Sequence, residues 1–105
     1  MYKVEILPTA WEDLKNIEDW YRLNFDNDIA EKVSNNILDV IERLETFPDS
    51  GVLTPDPWLN KLGYKMVICK HNVAIFRLID NTIFIYTVAD TRREYTKLFK
   101  KDFEL

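Results

Sequence analysis

Apolar and polar residues alternate at the start of the chain, with Tyr2, Val4 and Ile6 separated by Lys3 and Glu5. A period of two predicts a half-buried strand, and Pro8 ends it. Thr9 and Glu12 then stand at the spacing of a capping box, where the hydroxyl takes one free backbone N–H and the glutamate reaches back to another. A helix is expected to begin there. Ala10, Leu14, Ile17 and Tyr21 recur at helical spacing, Trp11 and Trp20 flank that stripe, and most charges fall on the other side. Asn24 to Asp28 interrupts the period with side chains that bond local backbone. A second helix follows, with a stripe of Ile29, Val33, Ile37, Val40, Ile41 and Leu44. Phe47-Pro48 closes it, because proline disfavours helix in the residue before it. Two long amphipathic helices joined by a short loop predict an antiparallel hairpin.

Residues 48–63 hold three of the four prolines and both glycines. They read as an irregular loop, pinned to the core by Trp58 and Leu59. Three runs rich in Val, Ile, Phe or Tyr follow at 64–69, 73–79 and 82–89, and each predicts a strand. Asp80-Asn81 joins the last two as a tight-turn pair, so a meander is the economical topology. The middle strand is apolar on both faces, and at least one must lie under the hairpin. Residues 92–103 form a helix-like tail with Tyr95, Leu98 and Phe99 at packing intervals. The expected fold is α+β: an N-terminal strand, an antiparallel two-helix hairpin, a three-stranded antiparallel meander and a short C-terminal helix, with helices packed on one sheet face. At 105 residues the chain is expected to be a single domain spanning 1–105.

Charge adds an asymmetry to this pattern. Residues 1–62 carry 13 acidic and 6 basic side chains, whereas residues 63–105 carry 5 and 8. A basic second half suggests an anionic partner, although solvated faces would give the same count. No segment approaches the roughly 20 apolar residues of a membrane span, and the first residues lack the apolar run of a signal peptide. The lone Cys69 reads as a buried, inert thiol. A soluble, cytoplasmic protein is therefore expected.

Several short pieces, taken in order, resemble the RelE/ParE toxin superfamily. They are Val4-Glu5-Ile6-Leu7-Pro8-Thr9-Ala10 with Asp13-Leu14 and Ile17, then Leu44 to Phe47-Pro48 with Gly51, then Gly63-Tyr64-Lys65. The closing pieces are Val73-Ala74-Ile75-Phe76-Arg77, Ile83-Phe84-Ile85 and Arg92-Arg93-Glu94-Tyr95. The resemblance implies the toxin of a bacterial type II toxin–antitoxin pair, of the kind also described as plasmid-stabilisation proteins. It implies a cognate antitoxin that wraps the toxin with an extended segment, and a dimer or a toxin–antitoxin hetero-oligomer as the assembly. RelE-like members cut messenger RNA on the ribosome without a metal, and ParE-like members inhibit DNA gyrase. Asp90 stands where many relatives have His, and Val73 stands nearest to the mid-strand basic residue of the family.

Metal-free RNA cleavage requires a group to accept the 2′-hydroxyl proton, a group to protonate the leaving oxygen, and cations on the phosphate. Lys65, Arg77 and Arg92 are the candidate cations, with Tyr95 as proton donor or stacking ring. Arg93, Lys97 and His71 are candidate RNA contacts. Each has a plainer reading. Arg77 could sit on an exposed strand face or pair with a helix carboxylate. Arg92 and Arg93 could form surface ion pairs, Tyr95 could pack the tail, and Asp90 could cap the tail helix. With one His and one Cys no His/Cys zinc set can form, and no cofactor is expected. Three readings follow, ranked in this order. The first is a ribosome-dependent mRNA endonuclease. The second is a gyrase inhibitor without chemistry of its own. The third is a degenerate toxin that only binds its antitoxin.

Overall fold

The computed structural model describes residues 1–105. Four strands form one sheet in the order β1-β4-β3-β2. The last three, β2 (Tyr64–Cys69), β3 (Asn72–Ile79) and β4 (Thr82–Asp90), make the expected antiparallel meander. Its tight turns place Lys70 and Asp80 at φ +55°, the left-handed region. The first strand, β1 (Lys3–Ile6), adds to the free edge of β4 in parallel, with Lys3 opposite Thr82 and Ile6 opposite Ile85.

Helix α1 (Pro8–Asn24) begins earlier than the capping-box spacing predicts. Pro8 occupies the first helical position, where its missing N–H costs nothing and its φ is already helical. Thr9 is therefore inside the helix. Its hydroxyl does not cap but donates to the Tyr86 carbonyl at 2.6 Å. Helix α2 (Asn27–Glu42) is capped as its Asx-rich start suggests, with Asp26 accepting from the Ile29 N–H at 2.8 Å. Arg22 ties the hairpin tip by donating to Glu18, Asp19 and Asn27.

The hairpin covers one face of the sheet. Leu14, Ile37, Ile41 and Leu44 are buried there against Ala74, Phe76, Ile83 and Ile85. The opposite face is not open. Val73, Ile75, Tyr64 and Met66 form a second core, roofed by Leu59 and by Phe99 of the tail helix α4 (Tyr95–Asp102). This explains why residues 73–76 are apolar without interruption: both sides of β3 are buried.

The stretch 48–63 is more ordered than the loop expected from its composition. It contains a 3₁₀ turn, Pro48–Ser50, and a short helix α3 (Pro57–Lys61). Asp56 caps α3 through the N–H groups of Trp58 and Leu59. Asp56-Pro57, a cap residue followed by a proline at the first helical position, is a signal the sequence carried. Leu59 is fully buried, but Trp58 is half exposed and does not pin the loop. Val52 pairs with Met66 through two backbone hydrogen bonds, of 2.8 and 2.9 Å, and so covers part of the β2 edge. Gly51 lies against the end of the buried Phe76 ring, where a Cβ would clash.

One irregularity in β4 sets how the helices meet the sheet. Ile75 faces Thr87 while Phe76 faces Ile85, so Tyr86 is an extra residue, a β-bulge. Beyond Ile85 strand β1 has ended, and the outer edge of β4 has no strand partner. Helix α1 replaces it. Thr9 donates to the Tyr86 carbonyl, and Asp13 Oδ2 accepts from the Thr87 hydroxyl at 2.6 Å and the Val88 N–H at 3.1 Å. Removing a buried acceptor leaves its donors unsatisfied. Asp13→Ala should therefore destabilise the fold by about 1–3 kcal/mol. Asp13→Asn, which retains an acceptor oxygen, should keep most of that stability. Urea unfolding monitored by circular dichroism would measure both, and equal losses would contradict the assignment.

Candidate functional site

The sheet distributes the candidate cations over three separate places. Tyr64 and Met66 belong to the second core. Strand alternation therefore turns Lys65 toward the hairpin side, where it is half-buried and forms no ion pair. Arg77 lies on the opposite face. Its guanidinium carbon sits 4.8 Å from the centre of the Tyr64 ring and 5.6 Å from that of Tyr86. Nη2 donates to the Tyr86 hydroxyl at 3.0 Å, while Nε is buried without a partner. Such stacking holds a cation between aromatic faces. Neither the exposed strand face nor the helix carboxylate expected for Arg77 is what it meets.

Arg92 is at the other end of the sheet. Arg77 pairs with Phe84 and Asn72 pairs with Asp90. At the strand rise, the turn carrying Arg92 is roughly 17 Å along the sheet from Arg77. Arg92 closes a fork on Asp90: Nε donates at 2.9 Å, Nη2 at 2.6 Å, and the Arg92 N–H donates to the same carboxylate at 2.8 Å. Asp90 thus fixes the turn after β4. It does not cap α4, which begins at Tyr95 without a side-chain cap. The expected convergence of Lys65, Arg77 and Arg92 on one anion-binding surface is absent.

The remaining candidates are also dispersed. The Tyr95 hydroxyl donates to Met66 Sδ at 3.6 Å, and its ring packs on the second core. Arg93 is exposed, and Lys97 lies 3.9 Å from Glu94 on the surface. His71 is exposed in the β2–β3 turn, where its carbonyl accepts from Thr91. Burial pushes the Cys69 thiol up, away from the reactive thiolate. No helix is long and apolar enough to cross a membrane.

The structure does build a concave site that the sequence reading did not assemble. A cleft of about 480 Å³ opens between α1, the end of β4, the 90–93 turn and α4. Its lining combines aromatic rings (Trp20, Tyr21 and Tyr95), the polar Asp13 and Asn72, and the Asp90–Arg92 fork. Its aromatic members and most of its charged ones had stood out in the sequence, but as parts of separate elements, and Asn16, Asn72, Thr87 and Asp102 had not stood out at all. Nothing in the chain order signals that they meet, because Asp13 and Thr87 are 74 residues apart.

The order of elements is the α+β arrangement expected of a RelE/ParE-like fold. Residues 4–95 match the family described as ParE toxin of type II toxin–antitoxin system, parDE. The chain belongs to the ParE toxin family of type II toxin–antitoxin systems. Among solved structures it is similar to the chromosomal ParDE TA system from P. aeruginosa, at 20% identity and a TM-score of 0.75, covering 86% of this chain and 96% of that one. It is also similar to the toxin–antitoxin complex RelBE2 from Mycobacterium tuberculosis, at 16% identity and a TM-score of 0.62, covering 85% and 96%. A third similar structure is the heterotetrameric YoeB–YefM toxin–antitoxin complex from Staphylococcus aureus, at 20% identity and a TM-score of 0.50, covering 83% and 93%. No curated protein is detectably similar in sequence.

The Arg92 fork lowers the Asp90 carboxyl to about 2. A carboxylate whose pKa is depressed by folding contributes stability above its unfolded pKa, near about 4, and loses that contribution as pH falls through the folded value. The Asp90 side-chain carbon should therefore titrate near pH 2 by ¹³C NMR. In Arg92→Ala it should move up toward the ordinary aspartate range. A midpoint unchanged by the substitution would mean that the fork is not formed in solution.

Proposed function

We propose that this chain is a ParE-type toxin that acts by binding a protein target, DNA gyrase, rather than by cutting RNA, and that a cognate antitoxin neutralises it. The observation that carries this reading is the dispersal of the cations. In-line attack on a phosphodiester needs proton acceptor, proton donor and cation within hydrogen-bond reach of the same few atoms. Here Lys65 and Arg77 lie on opposite faces of the sheet, and Arg92 is held in a fork by Asp90. Tyr95 is engaged with Met66. The Asp90 and Val73 positions, where relatives carry His and a basic residue, also depart from the nuclease pattern.

Membership of the ParE family supports gyrase as the target, since ParE-like members inhibit that enzyme. The antitoxin is supported by the similar structures, three of which are toxin–antitoxin systems or complexes. The purified chain should block supercoiling by purified gyrase, and induced expression should leave transcripts uncut while raising the DNA-damage response. Lys65→Ala and Arg92→Ala should change the inhibitory concentration by less than about threefold, as for a charge without an ion pair and one in an exposed surface pair. Ribosome-dependent transcript cleavage abolished by either substitution would overturn the reading in favour of the endonuclease.

A further inference from the structure

The cleft between α1 and the end of β4 carries unused hydrogen-bonding capacity. Both hydrogen bonds to Asp13 fall on Oδ2, from the Thr87 hydroxyl and the Val88 N–H, so Oδ1 takes none within the chain. Asn72 lines the cleft and is only 5% exposed, and its side-chain amide forms no hydrogen bond within the chain, although its amide atoms are not fully shut off from solvent. A polar group placed so can exchange water for a ligand atom. Asp102, on the α4 side of the cleft, forms no ion pair.

The charges decide what that ligand is. Arg92 is already neutralised by Asp90, which leaves the exposed Arg93 at the rim as the one unpaired cation of the lining. The rest of the polar lining is carboxylate, amide and hydroxyl, without a further cation. Burial raises the pKa of Asp13 against the lowering effect of its Thr87 and Val88 hydrogen bonds, and nearby Glu12 and Asp102 add smaller upward contributions. A phosphate would have to approach these carboxylates, so a nucleotide or an RNA backbone fits poorly. A planar cation fits well. Its N–H groups would meet Asp13 Oδ1 and the Asn72 carbonyl, and its faces would lie against Trp20, Tyr21 or Tyr95. At about 480 Å³ the space takes one long side chain but not a helix, which is 10–12 Å across.

We infer that this cleft is an arginine pocket, which receives the guanidinium of a basic side chain on the antitoxin. The inference rests on the antitoxin reading above, and with Asp90 and Arg92 paired to each other the lining keeps Asp13 and Asp102 against Arg93 alone, a balance that favours a cationic side chain.

The test is an NMR titration of the whole chain with N-acetyl-arginine amide, beside the neutral isostere N-acetyl-citrulline amide and adenosine monophosphate. The arginine compound should shift the Asn72 side-chain amide and the Trp20 indole N–H. Citrulline should bind at least about tenfold more weakly, since it lacks the charge-assisted hydrogen bonds. Asp102→Asn, at an exposed position, should fold normally and weaken the arginine compound about threefold. No shift, equal shifts from citrulline, or a response to the nucleotide alone would each overturn the pocket. A candidate antitoxin, taken from any short reading frame adjacent to the gene, supplies a second arm. If it binds equally well after Asp102→Asn, Trp20→Ala and replacement of its own arginines, the pocket fails while the antitoxin reading stands. If no complex forms at all, the antitoxin reading fails, and the arginine titration decides the pocket by itself.

Discussion

The meeting of helix α1 with the unpaired edge of β4 holds the two layers of this protein in register. Strand β1 pairs only as far as Ile85, because Pro8 turns the chain into a helix. The β4 backbone beyond that point is left without a strand, and the Tyr86 bulge re-aims it. Backbone groups near a core must be paired, so something has to take the place of the missing strand. Thr9 and Asp13 do so one turn apart on the same helix face. Placing α1 there also sets one wall of the cleft, since Trp20 and Tyr21 continue along the helix that Asp13 anchors.

The second face of the sheet shows how so small a chain completes its core. The tail helix α4 brings Phe99 and Phe103 onto Tyr64 and Tyr86, with ring centres 4.6–6.1 Å apart and mostly edge-on. Lys100 of α4 reaches Asp56 at 2.5 Å, and the same carboxylate caps α3. Lys100 and the α3 backbone together hold the Asp56 carboxyl below its usual range. Arg77 completes this layer by lying on Tyr64 and Tyr86. A cation that could have faced a phosphate instead forms part of an aromatic stack, which is why the second face reads as structure rather than as a nuclease surface.

Much of the fold was legible in the residues. Period-two and period-3.6 patterns placed β1, the hairpin and the three meander strands within a residue or two, because burial on one face imposes those periods. The Asn24–Asp28 break and the Asp80-Asn81 turn were equally plain, since the side chains that favour them act locally. The short helix α3 was also written in Asp56-Pro57, but the prolines and glycines around it obscured the signal. Thr9 was misleading for a definite reason. A hydroxyl near a helix start has two available partners, the local N–H and a distant carbonyl, and sequence spacing describes only the first.

By itself, then, the sequence determined which segments are helix and strand, that β3 is apolar on both faces, and the toxin family to which the chain belongs. Tertiary structure alone decided which side chains share a site. Lys65 and Arg77 are 12 positions apart and Arg92 is 15 further on, yet pleat alternation and strand length set them on different surfaces. Asp13 and Asn72, far apart in the chain and individually unremarkable, were brought into one cleft by the bulge in β4 and the helix that pairs with it. Local periodicity is fixed by each residue's own neighbours, whereas a binding site depends on contacts between segments that only the folded chain brings together.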